Sequence, residues 1–562
     1  MNRCFRALSI FVMITAVALF ELSGQPAKKS PYSMAPFSNE PGLKEVVSSP
    51  LGVISSGLPY ATDAGIEMLR RGGNAMDAAL AATLVLGVIE QNVDLFGGGV
   101  VTYYDAKSKK TTVVNFEPNA FIEDVMPFNS ETDGFSGRSI RVPGTFAGFS
   151  YVNKKYGALP WKDVMEPGIF YAENGFPVYP RASQAMRGKY IALSRRPSSR
   201  QILLPDGFLP AVGQLFKQPE MAKTLKRIAE EGVDFLYKGP FAEEMVKAIR
   251  DIGGKATIED FASYKVFEIE PFRGTYKDYQ LLFHPGPADM VPVMEALNIL
   301  ENVDLKSMGH YSQSADSLQW MLETYGVVHE DFRRFNVVPE HDNPVSQILM
   351  SKEYAKSRYK LLAHKIEVMN RDAKAGHPPV SELARGYEEL ELGTHHVSAV
   401  DKDGNVCSFK HTRYGSMTAF SGLYVGGIEM NTAGGFGAFP GGRIQSITSP
   451  PIVFKGDKPY FAADSAGLSE GVFHIITNAL IWDKNFKEAQ EAPRFSFSGG
   501  KVSIEDRVDS KVIEELKKRG YKVELQGPWG GGSDQVAGID PATGIHIAIT
   551  DPRGYGKAAA QK

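Results

Sequence analysis

The stretch of the chain richest in reactive side chains is Gly393 to Asn405, which reads GTHHVSAVDKDGN. Its DKDGN segment is similar to part of a calcium-binding loop. Such a loop needs a later acidic ligand, however, and the corresponding residue is Thr412. The pattern therefore predicts two strands joined by a hairpin turn. Taken by itself, Thr394 is explained by the preference of threonine for strands.

The cysteine and histidine residues do not form a recognisable metal site. Cys4 and Cys407 are the only cysteines, too few for a zinc site of thiolates. Cys407 lies in the alternating run VCSF and is interpreted as a small buried apolar residue. The adjacent His395 and His396 would point to opposite faces of a strand, which is poor geometry for two ligands of one metal. We expect no metal and no cofactor.

Further motifs accompany the 393–405 stretch in a definite order. They are Gly72-Gly73-Asn74-Ala75-Met76-Asp77-Ala78-Ala79, Gly97-Gly98-Gly99, Val142-Pro143-Gly144 and Ala492-Pro493-Arg494-Phe495. Together they resemble the landmarks of the gamma-glutamyltransferase family of N-terminal-nucleophile hydrolases. In that family a T-[TS]-H-x-S-V-x-D-x-x-G-N run opens the small subunit. The matching residues here are Thr394, His396, Ser398, Asp401, Gly404 and Asn405.

The resemblance implies that Thr394 is the nucleophile and that the precursor cuts itself between Gly393 and Thr394. A threonine hydroxyl is a weak nucleophile unless a base lies beside it. In this class of enzyme the base is the nucleophile's own α-amino group, which exists only after the preceding peptide bond is broken. Gly393 has no side chain to obstruct attack on its carbonyl carbon. The expected products are a heavy chain ending at Gly393 and a light chain starting at Thr394.

Other family residues carry over to single positions. Thr412 matches the threonine that hydrogen-bonds the nucleophile. Ser446 matches the first serine of a substrate-binding pair, and Ile447 replaces the second. The family's oxyanion hole uses backbone N–H groups of a Gly-Gly step, which contribute roughly a few kcal/mol. Its nearest match is Gly467-Leu468, although Gly467 fits a plain turn equally well.

Three residues that hold a glutamyl head group in the family are replaced. Phe116 stands for an arginine that binds the α-carboxylate, and Gly435 stands for an aspartate that binds the α-amino group. Tyr414 occupies the place of an asparagine. Only Gly437 to Gly442 remain where many bacterial members carry a long lid loop. We therefore expect an atypical, open site in which Phe116 and Tyr414 offer aromatic surface to a bulkier or less charged acyl group.

The elements that must position these residues are predicted from periodicity and capping. Asn74 is expected to cap a helix that is apolar almost all round and therefore buried between layers. The predicted segments are helices Ala61–Arg71, Ala75–Ile89, Met221–Glu231 and Phe241–Ile252, and a hairpin of Val100–Asp105 with Thr111–Glu117. Strands flanking buried helices indicate stacked layers. The expected fold is mixed α/β (α+β), and the resemblance implies a four-layer αββα N-terminal-nucleophile hydrolase sandwich with additional helices.

The first residues have the layout of a secretory signal peptide, which we place at 1–25. Arg3 and Arg6 precede the apolar run Ala7–Phe20, which is too short to span a membrane comfortably. Leu22 is unfavourable for cleavage, so an uncleaved signal anchor is the alternative. Either way we expect export, with the protein periplasmic or secreted.

The rest of the chain is predicted to form one N-terminal-nucleophile hydrolase unit. Residues 26–46 are rich in Pro, Ser and Lys and are predicted to be a flexible tether. The heavy chain is placed at 47–393 and the light chain at 394–562. The net charge of −3 does not favour nucleic acid, so the expected partners are a small-molecule or peptide amide and the two chains of the same precursor.

The sequence thus predicts an autoprocessing hydrolase that takes an acyl group onto Thr394 and passes it to water or to an amine. The alternative is an amidase or acylase for a different acyl group on the same scaffold, which the replaced glutamate-binding residues favour. A binding protein without catalytic activity is less consistent with the presence of both Thr394 and Thr412.

Overall fold

The computed structural model describes residues 30–36, 42–90, 95–124, 128–188, 190–204, 206–335, 344–377, 392–416, 421–465, 469–498, 501–530 and 532–562. The predicted signal peptide (1–25) and the candidate oxyanion-hole residues Gly467 and Leu468 lie outside these ranges. Among the described helices, none combines the length and the apolar character needed to cross a bilayer.

The strands are β1 Val47–Ser49, β2 Gly52–Ser56, β3 Gly98–Asp105, β4 Lys110–Asn115, β5 Phe176–Pro177, β6 Leu215–Phe216, β7 Phe267–Ile269, β8 Phe272–Tyr276, β9 Tyr279–Phe283, β10 Leu392–Asp401, β11 Val406–Ser416, β12 Tyr424–Val425, β13 Ile428–Glu429, β14 Ile452–Lys455, β15 Lys458–Ser465, β16 Phe495–Ser498, β17 Lys501–Glu505, β18 Val523–Gln526, β19 Asp534–Ile539, β20 His546–Thr550 and β21 Lys557–Ala560.

The helices are α1 Pro59–Arg70, α2 Ala75–Ile89, α3 Ser130–Asp133, α4 Thr145–Tyr156, α5 Trp161–Asn174, α6 Pro180–Gly188, α7 Tyr190–Arg195, α8 Pro197–Leu203, α9 Pro219–Glu231, α10 Asp234–Tyr237, α11 Pro240–Asp251, α12 Ile258–Ala262, α13 Met290–Leu300, α14 Leu305–Met308, α15 Ala315–Phe335, α16 Pro344–Leu349, α17 Lys352–Lys374, α18 Ser469–Ile481, α19 Phe486–Glu491 and α20 Ser510–Lys518.

Two seven-stranded antiparallel sheets form the centre of the molecule. The first, called sheet I, has the order β21-β2-β10-β11-β3-β4-β7, and the second, sheet II, has the order β1-β20-β19-β15-β14-β9-β8. An apolar layer between them includes Val53, Val400 and Val406 from sheet I and Ile452 and Ala537 from sheet II. Helices α1, α2 and α5 cover sheet I, and helices α13, α15 and α18 cover sheet II. The four-layer αββα prediction is confirmed.

Helix α2 shows how local sequence and packing agree in this fold. The Asn74 side chain accepts from the N–H groups of Met76 and Asp77, and the Asp77 carboxylate accepts from the Asn74 N–H in return. All residues of α2 are buried between sheet I and α5. The predicted bounds of α2 are confirmed. Helices α1, α9 and α11 begin one or two residues earlier than predicted, because a proline occupies their first turn.

Asp401 connects the 393–405 stretch to α2. One of its carboxylate oxygens accepts from the N–H groups of Asp403 and Asn405 and closes the hairpin turn between β10 and β11. The other accepts from the Ala75 N–H at 2.8 Å, at the start of α2. Two of the motifs recognised in the sequence therefore meet in space, and the Asp401 carboxylate is used for structure. The hairpin prediction is confirmed.

Part of the predicted flexible tether is packed against the fold. Tyr32 is buried; its ring lies 5.2 Å from that of Phe170, and its hydroxyl accepts from Arg71 at 3.1 Å. The expectation of flexibility over 26–46 is therefore wrong at this point, because one aromatic side chain finds an apolar site between α1 and α5. The Pro- and Ser-rich composition did not reveal that site.

Candidate active site

Thr394 and Thr412 lie opposite each other on the central strands of sheet I. They are paired in the β10–β11 register, and the Thr394 hydroxyl donates to the Thr412 Oγ1 at 3.0 Å. Side chains alternate along a strand, and Ser398 on β10 reaches across to the Ala462 carbonyl of sheet II. Thr394 therefore faces the space between the sheets, and Gly393 directly precedes it within β10. This arrangement places a nucleophile candidate beside a hydroxyl partner.

A bulge in β11 places Tyr414 beside this pair. The register shifts between the Leu392–Ser416 and Thr394–Thr412 pairs, so β11 contains extra residues there. Tyr414 has a φ of 57°, a left-handed conformation that is strained for a bulky residue and often found near functional sites. In this conformation its N–H donates to the Thr412 Oγ1 at 3.2 Å. The bulge thus fixes the orientation of the Thr412 hydroxyl.

A buried carboxylate, Glu117, connects the predicted substrate-binding residues. Its Oε1 accepts hydrogen bonds from the hydroxyls of Tyr414, of Ser446 at 2.7 Å and of Thr448 at 2.8 Å. Glu117 has no exposed surface, and burial raises the pKa of its carboxyl to about 7 although the three hydroxyls and Arg443 oppose the shift. The Tyr414 and Ser446 hydroxyls are thus bound to Glu117, whereas the sequence assigned both residues to the substrate.

Phe116 lies on the opposite face of sheet I from Thr394. It is fully buried, and its ring packs 6.0 Å from Phe149 and 5.7 Å from Phe409 in the helix-facing core. The expectation that Phe116 presents aromatic surface to the substrate is contradicted. Neighbouring residues of an extended segment face opposite sides, so Glu117, and not Phe116, points into the space between the sheets.

The region beside Tyr414 is apolar where the family carries charged anchors. Gly435 is exposed, and a side chain added there would contact only the Phe128 ring, at 3.8 Å. A small apolar cluster adjoins it, formed by Ala120, Tyr414, Ala433, Phe436, Ala438, Ile444 and Ile447. The Tyr414 and Phe436 rings meet edge to face at 5.3 Å. We call this set the acyl-side cluster. Apart from Phe436 and Ile447, its members are buried.

Arg443, a cation near the site, makes hydrogen bonds to protein groups at the edge of sheet I. Its guanidinium donates to the carbonyl oxygens of Glu117 and Lys265 and to the Tyr264 hydroxyl. It also lies over the rings of Tyr264 and Phe267, at 4.8 Å from each centroid. These contacts hold the guanidinium at the edge of sheet I. Arg443 therefore does not take over the role of the family arginine whose position Phe116 occupies.

A buried ion cluster lies behind the nucleophile, on the same face of β11 as Thr412. The Lys410 ammonium contacts the carboxylates of Asp289 and of Asp464, the latter at 3.0 Å. Burial opposes the charge on Lys410, but the two carboxylates outweigh it and raise its pKa. Burial raises the pKa of Asp464 to about 7, against the attraction of Lys410. Asp464 lies three residues before Gly467, the first candidate oxyanion residue. The cluster therefore connects the end of β15 to the nucleophile's hairpin.

Sequence reasoning missed Glu117, Thr448 and Lys410. Glu117 was within reach, because it directly follows Phe116, the position at which the family's arginine is replaced. Lys410 had a weaker signal, a lysine in the middle of the long strand β11. Within the ranges that the structure describes, no group of His, Cys, Asp or Glu side chains is arranged to hold a metal ion.

Comparisons with known proteins find relatives over most of the chain. The family described as Gamma-glutamyltranspeptidase matches residues 61–561. The glutathione hydrolase proenzyme of Escherichia coli (strain K12) is 31% identical and covers 91% of this chain and 93% of its own. The acylase ACY 1 proenzyme of Pseudomonas sp. (strain SE83) is 27% identical over 88% of this chain and 91% of its own. The crystal structure of cephalosporin acylase from Bacillus halodurans superposes with a TM-score of 0.80 at 24% identity, covering 94% and 99% of the two chains.

Proposed function

The chain belongs to the gamma-glutamyltranspeptidase family, and we propose that it is an autoprocessing N-terminal-nucleophile hydrolase that forms an acyl-enzyme on Thr394. The observation that carries the proposal is the 3.0 Å hydrogen bond between the hydroxyls of Thr394 and Thr412, on the inner face of β10, the strand that contains the bond between Gly393 and Thr394. That the curated relatives are named proenzymes supports a precursor that is cleaved.

Maturation begins with attack of the Thr394 hydroxyl oxygen on the Gly393 carbonyl carbon. The C–N bond between the two residues breaks, the hydroxyl proton passes to the departing amine, and an ester links Gly393 to Thr394. Water then hydrolyses the ester and leaves a heavy chain ending in a Gly393 carboxylate. The light chain begins with a free Thr394 amine. Both sheets contain strands from before and after this bond, so the two chains remain interleaved without a covalent link.

In the mature enzyme the new α-amino group takes the proton from the Thr394 hydroxyl as it attacks an amide carbonyl. The amide nitrogen leaves as an amine after receiving that proton, and the acyl group stays on Thr394 as an ester. Water or a second amine then removes the acyl group. Thr412 accepts from the Thr394 hydroxyl and is itself held by the Tyr414 N–H. It therefore keeps the nucleophile in one rotamer. The backbone of Gly467 and Leu468 is the proposed oxyanion hole.

The acyl group that fits best is apolar and not γ-glutamyl. A glutamyl donor presents a carboxylate and an ammonium, and a charge-assisted hydrogen bond to each contributes about 1.5–3 kcal/mol. Phe116 and Gly435 supply neither contact, and Arg443 is bound elsewhere. Loss of both contacts weakens binding by about 3–5 kcal/mol, a factor of hundreds to thousands. The acyl-side cluster supports an acylase instead, as does the similarity to a relative named as an acylase.

Two measurements test the proposal. Purified mature protein should consist of two non-covalently held chains, and N-terminal sequencing of the smaller should begin at Thr394. Steady-state kinetics should then compare a γ-glutamyl anilide with a panel of acyl anilides, and turnover should be higher on some member of the panel. A different light-chain start, or full activity of the uncut chain, refutes the mechanism. Efficient γ-glutamyl turnover refutes only the acylase assignment, and inactivity on every amide favours a binding protein.

We also propose that the chain is exported, on the basis of Arg3, Arg6 and the apolar run that follows them. Cell fractionation of the full-length protein should recover it from the periplasm, from the outer face of a membrane or from the medium. Recovery in the cytosol with residues 1–25 intact contradicts export.

A further inference from the structure

Residues 181–217, which we call the basic segment, differ in charge from the chain as a whole. The segment contains seven Lys or Arg residues and one acidic residue, Asp206, whereas the whole chain has a net charge of −3. It comprises most of α6, the helices α7 and α8, and the strand β6. A local excess of positive charge attracts anionic surfaces even when the protein as a whole is negative.

Three cations of the basic segment, Arg187, Arg200 and Lys217, are exposed. Among the residues that the structure describes, no carboxylate forms an ion pair with these three side chains. On the neighbouring helices α9 and α11, by contrast, exposed cations are paired with carboxylates, as in Arg227–Glu231 and Lys247–Asp251. The positive charge of the basic segment is therefore available to an external anion.

The inner side of the basic segment is fixed to the body of the protein. The Arg196 guanidinium donates to the Ser421 carbonyl at 2.6 Å and to the Phe135 carbonyl, and the Arg195 guanidinium lies 4.3 Å from the centroid of the Phe135 ring. Apolar side chains from each of its elements belong to the core cluster that covers sheet I; they are Met186, Leu193, Leu203 and Phe216. The segment is thus a packed layer with one inner and one outer face.

Large apolar side chains are exposed on the same segment as the cations. They are Tyr190, Ile191, Phe208, Val212 and Leu215. Ile191 is 69% exposed, and Phe208 is 80% exposed. Exposed apolar residues are common singly, but several of them together with basic residues are typical of a surface that lies in a membrane interface.

The N-terminal tether meets the protein beside the basic segment. The Tyr171 hydroxyl, near the end of α5, donates to the Ser33 carbonyl at 3.0 Å. Helix α5 is followed by β5, which pairs with β6 of the basic segment. Ten residues separate Ser30 from Phe20, the end of the apolar run, and a chain of this length spans at most about 36 Å. A retained signal anchor would therefore keep the basic segment near the membrane.

We propose that the basic segment binds the surface of a membrane that contains anionic lipids. Arg187, Arg200 and Lys217 contact the lipid phosphates, and Ile191 and Phe208 enter the interface. This interaction goes beyond the proposed catalytic function and does not depend on it. A second copy of the chain could also cover the exposed apolar side chains. The membrane is favoured because these side chains share the segment with exposed cations and because the tether lies beside them.

The test is sedimentation of the protein with unilamellar vesicles of phosphatidylglycerol and phosphatidylcholine, and with vesicles of phosphatidylcholine alone. The protein lacks residues 1–25, as removal of the signal peptide leaves it, so that the apolar run cannot insert. We expect binding to the anionic vesicles only, and weaker binding when the ionic strength rises from about 0.05 M to about 0.5 M.

Two double variants separate the contributions of charge and apolar surface. Arg187→Gln with Arg200→Gln should raise the Kd for anionic vesicles by about 25-fold, because each cation near such a surface contributes about fivefold. Ile191→Ser with Phe208→Ser should raise it by about tenfold or more. Circular dichroism and urea unfolding check that each variant is folded.

Matched controls come from the helices on the sheet II side. Lys356→Gln with Lys360→Gln removes two exposed cations of α17, and Ile348→Ser with Leu361→Ser removes two apolar side chains that are 56% and 60% exposed. Both controls should bind anionic vesicles as the parent does, because these residues lie in the layer that covers the other sheet.

Several outcomes would overturn the membrane proposal. They are equal affinity for the two kinds of vesicle, no binding at low ionic strength, full binding by the Arg187→Gln, Arg200→Gln variant, and an equal loss in the controls. Concentration-dependent dimerisation that Ile191→Ser with Phe208→Ser abolishes, without vesicle binding, assigns the apolar side chains to a second copy of the chain and also overturns it. Each of these outcomes leaves the assignment of Thr394 and the acylase function unchanged.

Discussion

On one side of the Thr394 hydroxyl lies Thr412, paired with it across two adjacent strands that one tight turn connects. Beyond Thr412, and linked to it through the Tyr414 N–H, lie Glu117, Tyr414, Ser446 and the acyl-side cluster, which come from distant parts of the chain. The first region, the reaction side, retains the family's residues. The second, the recognition side, has exchanged charged anchors for an internal hydroxyl–carboxylate network and apolar surface. From this difference we expect bond cleavage and acyl-group choice to be separable in this scaffold.

The largest expected effect comes from removing the nucleophile on the reaction side. Thr394→Ala should lower activity by about 10³-fold or more on every substrate alike, and the protein should remain one uncut chain. Thr394→Ser keeps a hydroxyl and should still be cleaved. Gel electrophoresis and mass spectrometry of the purified variants check both results. A processed or active Thr394→Ala protein would show that the reaction side has been assigned to the wrong residue.

A second expected effect is on stability and concerns the ion cluster behind the nucleophile. Lys410→Met leaves the buried Asp289 and Asp464 carboxylates without their cation, which should destabilise the fold by about 3–5 kcal/mol. Urea unfolding measures the loss. Adding Asp464→Asn to this variant removes one unpaired charge and should restore part of the stability. If the single variant is as stable as the parent, the cluster is not electrostatically coupled to the fold.

The Glu117 carboxyl on the recognition side should make the free energy of unfolding depend on pH. The folded pKa of Glu117 is about 7, above the ordinary value near 4.5, so between these pH values the folded state binds more protons than the unfolded state. The contribution of Glu117 to the free energy of unfolding is therefore highest at acidic pH. It falls by up to about 3 kcal/mol as pH rises through 7.

Glu117→Gln removes this titration. Thermal or urea unfolding at pH 5 and pH 8 should show a smaller pH-dependent loss for Glu117→Gln than for the parent. Asp464 also has a raised pKa, but it is present in both proteins and cancels in the comparison. An identical pH dependence in the two proteins would mean that Glu117 is ionised throughout this range.

The smallest expected effect tests whether the two sides are separable. Thr412→Val removes the acceptor for the Thr394 hydroxyl and for the Tyr414 N–H, a loss of about 1–3 kcal/mol, or roughly five- to a hundredfold in kcat. The ranking of acyl anilides should stay the same, and Thr412→Ser should recover most of the rate. A changed ranking in the kinetic panel would show that Thr412 also takes part in recognition.

Local patterns were sufficient for most of the scaffold around the nucleophile. Residues close in sequence determine the Asn74 cap, the buried helix Ala75–Ile89 and the hairpin after Thr394. The family motifs around them were the basis for predicting the four-layer fold. Helix starts were misplaced by one or two residues where a proline lay in the first turn. The prediction of flexibility failed at Tyr32, because the apolar site that binds this ring is formed by α1 and α5. The composition of the tether contains no information about that site.

The sequence by itself determined the family, the candidate nucleophile Thr394 with its partner Thr412, and the absence of the family's charged anchors at Phe116 and Gly435. Only the tertiary structure decided what fills their place. Ser446 meets Glu117 across 329 residues of sequence, and Phe116 turns away because the strand leading to it presents Asn115 and Glu117 to the other face. Contacts of this kind depend on how two sheets stack, and no local periodicity encodes which distant hydroxyl will satisfy a buried carboxylate.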